Sequence, residues 1–188
     1  MTDQPDGTHP LLTLNDLVVL AVIGEEPAHG FALSRLLAPE SDLGRILTLR
    51  RAQVYRAIDR LAEADLVEPL AVEPGDGGPV RTVLTITPAG RRALADWLDR
   101  PVDHVRDLRV EFLIKLRLRE RLGRNPTELL AVQRQALGPT LDRLATAGGP
   151  GADVVDRWRA ANATAAARFL GYELDAEPPL VEPAPGHQ

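Results

Sequence analysis

The stretch that decides the fold runs from Arg50 to Leu98: RRAQVYRAIDRLAEADLVEPLAVEPGDGGPVRTVLTITPAGRRALADWL. Its opening, Arg50 to Asp65, puts Val54, Ile58 and Leu61 on one helical face and Ala52, Arg56, Asp59 and Glu63 on the other, the pattern of a half-buried helix. Gln53 and Arg60 share one flank of the outer face and Tyr55 holds the other, so the N-terminal half of the helix presents Arg, Gln and Tyr while the acids come later. A helix charged in this order suits a groove entered by its N-terminal end. Leu66 to Val72 then reads as a strand, Glu73 to Pro79 (EPGDGGP) as a turn and Val80 to Thr87 as an alternating strand, which makes a β-hairpin. Thr87 and Pro88 open a further helix as N-cap and first helical residue, with Ala89, Leu94, Trp97 and Leu98 apolar.

Upstream, Thr13 to Glu25 reads as a helix that is apolar almost all round and therefore buried, with Thr13 as N-cap and Asp16 at the third helical position. Gly24 to Pro27 supplies a turn, and Gly30 to Leu37 a short helix with Phe31, Leu33, Leu36 and Leu37 apolar, stopping near Pro39. A polar stretch containing a glycine leads to Arg50. Three helices followed directly by a hairpin give the order of a winged helix-turn-helix, expected over residues 11–100 behind an unstructured arm, residues 1–10.

Downstream no strand signal remains. Helices are expected from Arg106 to Leu122 (Leu108, Phe112, Leu113 and Leu116 apolar), from Thr127 to Ala147, and from Ala152 to Leu170 after a loop at Gly148 to Gly151. In the last of these Val154, Val155, Trp158, Ala161, Ala165 and Phe169 form an apolar stripe wider than one chain's own helices cover, so a second subunit is the natural cover. The expected organisation is a mainly α chain with one small hairpin: the winged helix, a helical, coiled-coil-like dimerisation domain over 101–174, and a proline-rich disordered tail over 175–188.

Composition narrows the function. Among 188 residues there is no Cys, which excludes disulfides, thiolate metal sites and thiol nucleophiles. The four histidines, His9, His29, His104 and His187, have no metal-ligand spacing, and no phosphate-binding glycine loop or nucleophile elbow occurs, so neither a cofactor nor an enzyme activity is expected. Glu111, in an apolar helix, has Arg109 and Lys115 near enough for structural pairing. The polar N-terminus lacks the features of a signal peptide and no apolar run reaches membrane-spanning length, so a cytoplasmic protein without a membrane partner is expected. The formal net charge of −5 hides an uneven map. Residues 45–61 carry five arginines against one acid and residues 80–92 three arginines and no acid, whereas residues 1–28 carry five acids and no base. A basic face on an acidic body fits nucleic acid, while by charge alone arginine runs on helices also fit ordinary solvated faces.

Three segments in fixed order, LVVLAVIGEEPAHGFAL, VYRAIDRLAEADLVEP and RTVLTITPAGRRALADWL, resemble the PadR family of bacterial transcriptional regulators. The resemblance rests on the pair Gly30-Phe31, on Tyr55, Leu61 and Leu66-Val67, and on Thr87, Gly90, Arg91, Leu94 and Trp97, and it spans roughly residues 11–174. The segment RDLRVEFLIKLRL looks like the first helix of the longer C-terminal domain in one branch of that family. The chain departs from the family pattern at Val83 and Leu84, where aromatics are frequent, at Gly78-Pro79-Val80-Arg81, a reduced wing element, and at Ala52-Gln53, where a glycine is common.

Together these observations lead to the expectation of a transcriptional repressor that binds double-stranded DNA at an inverted repeat as a homodimer. The order of elements sets it apart from a MarR-like regulator, whose dimerisation helices come first; the reading from another class is a winged-helix adaptor that binds a partner protein. The candidate DNA contacts are Arg50, Arg51, Gln53, Tyr55, Arg56, Arg60 and Arg81, because a guanidinium fork matches phosphate oxygens or guanine O6 and N7, and a Gln amide matches adenine. The resemblance further implies a small hydrophobic or aromatic effector, with Trp97 and Trp158 as candidate pocket walls. The dimerisation candidates are Val154, Val155, Trp158, Ala161, Ala165 and Phe169.

Overall fold

The computed structural model describes residues 12–75 and 78–175; the expected N-terminal arm, and all of the expected tail but Asp175, lie outside them. The chain divides into two compact units, one made by the residues up to 102 with 106–125 and the other by 103–105 with the residues from 126 onward.

The first unit is a winged helix. Its elements are α1 (Leu14–Glu25), β1 (Ala28–His29), α2 (Gly30–Leu36), α3 (Arg51–Glu63), β2 (Val67–Gly75), β3 (Gly78–Ile86), α4 (Pro88–Asp99) and α5 (Glu111–Arg121). Val18 to Ile23 are buried without interruption because α1 is the central post, packed on α3, α4, β3, α2 and α5. Around it close Leu33, Leu37, Val54, Leu61, Ile86, Leu94 and Leu98. The 38–50 stretch, polar in sequence, nevertheless buries Leu43 and Leu49 completely or nearly so.

The sheet has the order β1-β3-β2, all antiparallel. The two-residue β1, too short to leave a periodicity in sequence, pairs Ala28 with Leu84 and His29 with Val83 and so pins the start of α2 to the wing. The wing strands are longer than the turn-rich sequence suggested. β2 accommodates Pro69 and Pro74 because it is an edge strand, where a missing N–H breaks no ladder on its outer side. Between α3 and β2, Asp65 takes φ 54, closing the helix with a bond from Leu66 N to Leu61 O. Thr87 then locks the base of the wing: its Oγ1 donates to the Asp65 carbonyl (2.8 Å) and accepts from Gly90 N (3.0 Å). Gly90 has to be glycine, since a Cβ there would lie 2.2 Å from the Leu66 carbonyl oxygen.

The helix expected over 106–122 is broken into a 3-10 turn (Val105–Arg109) and α5, and α5 belongs to the first unit. The sequence reading had it open the dimerisation domain. Ile114 and Leu118, four residues apart, insert into the winged-helix core, and a run of ion pairs fastens the helix around them. Arg117 reaches Asp42 (2.8 Å), and Arg121 bridges Asp42 (3.2 Å) and Glu25 (2.5 Å). Arg119, 1% exposed, donates to Asp99 and to the Asn125 carbonyl (2.7 Å).

The second unit pairs α6 (Thr127–Thr146) with α7 (Val154–Asp175). Leu129, Leu130, Leu137 and Leu141 of α6 and Ala160, Ala163 and Leu170 of α7 are buried. The other face of α7 is bare: Val154, Val155, Trp158, Ala161 and Ala165 are exposed, Trp158 at 69%, while Phe169 is half-buried. Among the described residues no helix is long and apolar enough to cross a membrane.

Candidate nucleic-acid interface

α3 starts behind Arg50, whose side chain makes no capping bond to the first helical amides; instead Gln53 reaches back to the residue that precedes the helix. The Gln53 Oε1 accepts the Arg50 N–H (2.9 Å), and the Gln53 N–H donates to the Arg50 carbonyl (2.8 Å). With its amide oxygen engaged in the cap, Gln53 offers the two-point adenine contact expected of it only by giving up that bond.

Beyond the cap, Arg51, Ala52, Tyr55, Arg56 and Asp59 form the exposed face of α3, while Val54, Ala57 and Leu61 are buried beneath. Tyr55 is seated by Gly30: a Cβ at Gly30 would stand 2.8 Å from Tyr55 Cζ, so only glycine lets the ring lie against the start of α2. The Arg51 guanidinium stands over the Tyr55 ring at 5.4 Å and over Phe31 at 5.9 Å, and Phe31 in turn stacks on His29 with centroids 6.4 Å apart. This row of flat groups walls one side of a cleft of about 530 Å³ between α3 and the wing; Val80, Arg81 and Leu84 of β3 line the other. Arg50 and Arg56 are exposed, and Arg81 is half-buried. Among the described residues no carboxylate pairs with Arg50, Arg51, Arg56 or Arg81.

Arg60 departs from the expectation. Its guanidinium turns inward and holds Asp16 through Nε (3.1 and 3.0 Å) and Nη2 (2.5 Å). Asp16 is 0% exposed and also accepts from Thr13 N (2.8 Å) and Thr13 Oγ1 (2.7 Å). Burial pushes the Asp16 carboxyl up, but the hydrogen bonds from Arg60 and Thr13 outweigh it and hold the group below its ordinary value. With its guanidinium paired to Asp16 and 38% of its side chain still exposed, Arg60 buttresses α1 against α3. Nothing in the sequence pattern separates it from Arg56, since both sit on the outer half of the helical wheel.

Trp97, expected as a pocket wall, is 8% exposed. Its indole N–H donates to Glu111 Oε1 (2.9 Å), and Lys115, also buried, lies 5.2 Å from the ring centroid. Lys115 Nζ in turn reaches Glu111 (2.9 Å) and the Arg100 carbonyl (2.9 Å), the pairing of Glu111 anticipated from sequence. The indole thus joins α4 to α5 with its polar edge and one approach already occupied. Trp158, the other aromatic candidate, stands on the bare face of α7. Phe31 is legible in the sequence as an apolar residue of the second helix and as half of a motif pair; its place beside Arg51 depends on α2 meeting α3 and carries no local signal.

A three-helix core with a two-stranded wing and a cationic, exposed start to its third helix is the architecture of a winged-helix transcriptional regulator. Residues 19–96, somewhat under half of the chain, match the model of the "Transcriptional regulator PadR-like family". Among solved structures the chain is similar to Bacillus subtilis PadR in complex with operator DNA, at 15% identity, TM-score 0.45, covering 85% of this chain and 97% of that one. It is also similar to smu.1604c from Streptococcus mutans UA159, at 16% identity, TM-score 0.41, covering 86% and 98%. A third is Bacillus subtilis PadR in complex with p-coumaric acid, at 14% identity, TM-score 0.39, covering 94% and 100%. No curated protein matches the chain.

Proposed function

We propose that the protein represses transcription by binding an inverted-repeat operator as a homodimer, with the start of α3 in the major groove and the wing beside it. The observation that carries this reading is the partition of charge. Arg60, Arg117, Arg119 and Arg121 are bound to carboxylates, whereas Arg50, Arg51, Arg56 and Arg81, on α3 and the facing wing strand, have no carboxylate partner among the described residues. Desolvating a guanidinium needs compensating acceptors, and phosphate oxygens or a guanine edge supply them. A second copy of the chain supplies the cover for the Val154, Val155, Trp158, Ala161 and Ala165 face of α7, and pairing two α3 helices about 34 Å apart matches successive half-sites on one face of DNA.

Release by a small aromatic or hydrophobic molecule completes the proposed cycle. The support is the exposed indole of Trp158 on the face assigned to the dimer, where a flat ligand gains both stacking area and shelter from water. The decisive experiment is a salt titration: counterion release makes log K for DNA fall linearly with log salt, whereas a protein-binding adaptor shows no such slope with DNA. Absence of salt-dependent DNA binding by the full-length protein sinks the reading.

A further inference from the structure

The arginines at the start of α3 are not equivalent, and their surroundings sort them. Arg60 is consumed by Asp16. Arg56 is exposed, without a ring or carboxylate beside it among the described residues, so its long side chain is free to sample many rotamers. Arg51 alone stands over two aromatic rings, and those rings are themselves held: Tyr55 against Gly30, Phe31 against His29.

An aromatic ring attracts the cation without a lone pair that would take up its N–H groups, so a guanidinium held over rings keeps those donors for another acceptor. Contact with a phosphate is tolerant of angle and gains little from such restraint. Two-point recognition of a base edge is intolerant of angle, and an arginine held in advance loses less conformational freedom when it binds. Arg51 is also the first residue of α3, at the end of a recognition helix that reaches base edges.

Resting on the DNA-binding reading above, we infer that Arg51 is the base-reading arginine of this protein, that it recognises guanine through O6 and N7, and that Phe31 is the positioning residue that holds it ready. Arg56 and Arg81 then serve as backbone contacts. Phe31 is suited to a test because it is 46% exposed, so replacing its ring leaves the core intact.

The test uses the full-length protein. A preferred site is selected from random duplex DNA, and affinities for that site, for each single-base variant and for non-specific duplex are measured across a salt series. Arg51→Lys keeps the charge and loses the planar fork. It is expected to reduce discrimination at one G·C position by about ten- to a hundredfold while leaving non-specific affinity and the salt slope unchanged. Phe31→Leu is expected to lower discrimination at the same position by a smaller factor with an unchanged melting temperature, and Phe31→Tyr to restore it. A uniform loss across all sequences in Arg51→Lys, or a Phe31→Leu protein that discriminates like wild type, overturns the assignment while the DNA-binding reading stands. If wild type shows no salt-dependent affinity for any duplex, both fall together.

Discussion

Arg60 of α3 and Asp16 of α1, 44 residues apart in sequence, close a two-pronged ion pair between the two helices. Asp16 uses one carboxylate for two tasks. It completes the α1 cap with Thr13 and receives Arg60, so the direction of α3 is set from the first turn of α1. Because Asp16 is fully buried while Arg60 keeps 38% of its side chain exposed, loss of the arginine strands the carboxylate.

Arg60→Ala is therefore expected to lower unfolding stability by about 3 kcal/mol, read from urea midpoints at pH 7, because it leaves a buried carboxylate uncompensated. The salt slope of DNA binding should stay at the wild-type value. A reduced slope in a stably folded Arg60→Ala protein returns this residue to the DNA contacts.

The same pair sets an acid dependence. Asp16 titrates below its ordinary 3.8 in the folded protein, so its contribution is fully present above that value and drains away as the pH falls through the folded pKa. Asp42 behaves alike: burial raises its pKa, but hydrogen bonds from Arg117 and Arg121 prevail and lower it. Asp16→Asn and Asp42→Asn should each flatten the loss of stability below about pH 4. An unaltered acid limb in both variants rules out these carboxylates as its source.

Asp65 occupies left-handed backbone, φ 54, at the end of α3, where a Cβ is penalised. Its main chain makes the bonds that matter there, so Asp65→Gly is expected to raise stability by about 1 kcal/mol without altering DNA affinity. Thermal unfolding followed by circular dichroism decides it; a lower midpoint shows that the Asp65 side chain contributes more than its backbone strain costs.

Arg56→Ala, on the exposed face of α3, is expected to weaken binding to all duplexes alike and to reduce the magnitude of the salt slope by about one. Affinity and slope both equal to wild type would remove this face of α3 from the groove.

On α7, Trp158→Glu should shift sedimentation toward monomer, with a loss of about 2 kcal/mol or more in dimer affinity for a central aromatic anchor. Binding to an inverted repeat should fall with it, while the melting behaviour of the first unit is retained. A variant that sediments as wild type places the dimer contact elsewhere.

Ligand release is read with single-tryptophan proteins. Trp158→Phe leaves buried Trp97, and Trp97→Phe leaves exposed Trp158. Aromatic and lipophilic compounds that release operator should quench Trp158 and lower DNA affinity by a coupling of about 1–3 kcal/mol. A ligand that releases DNA while quenching Trp97 alone reassigns the pocket; no release by any compound in the panel ends the effector reading.

Much of the winged helix was legible because its signals are local. The Thr13 and Thr87 caps and the Val54-Leu61 stripe act within a few residues of themselves, and α1, α3 and α4 formed where their own patterns placed them, whereas the wing strands ran on into the stretch that reads as a turn. The exposed apolar face of α7 was equally readable, since a stripe too wide for one partner is a property of spacing alone. What the chain's pattern left open are choices between partners far apart. An arginine on the outer half of a helix looks the same in sequence whether it meets water, DNA or a buried aspartate, and only the packing of α3 on α1 brought Arg60 to Asp16 rather than Arg56. For the same reason α5 read as the start of a helical domain: its apolar residues specify that it must be buried, while the partners that receive it, the winged-helix core with Asp42 and Glu25, lie 75 to 96 residues away from its arginines in sequence.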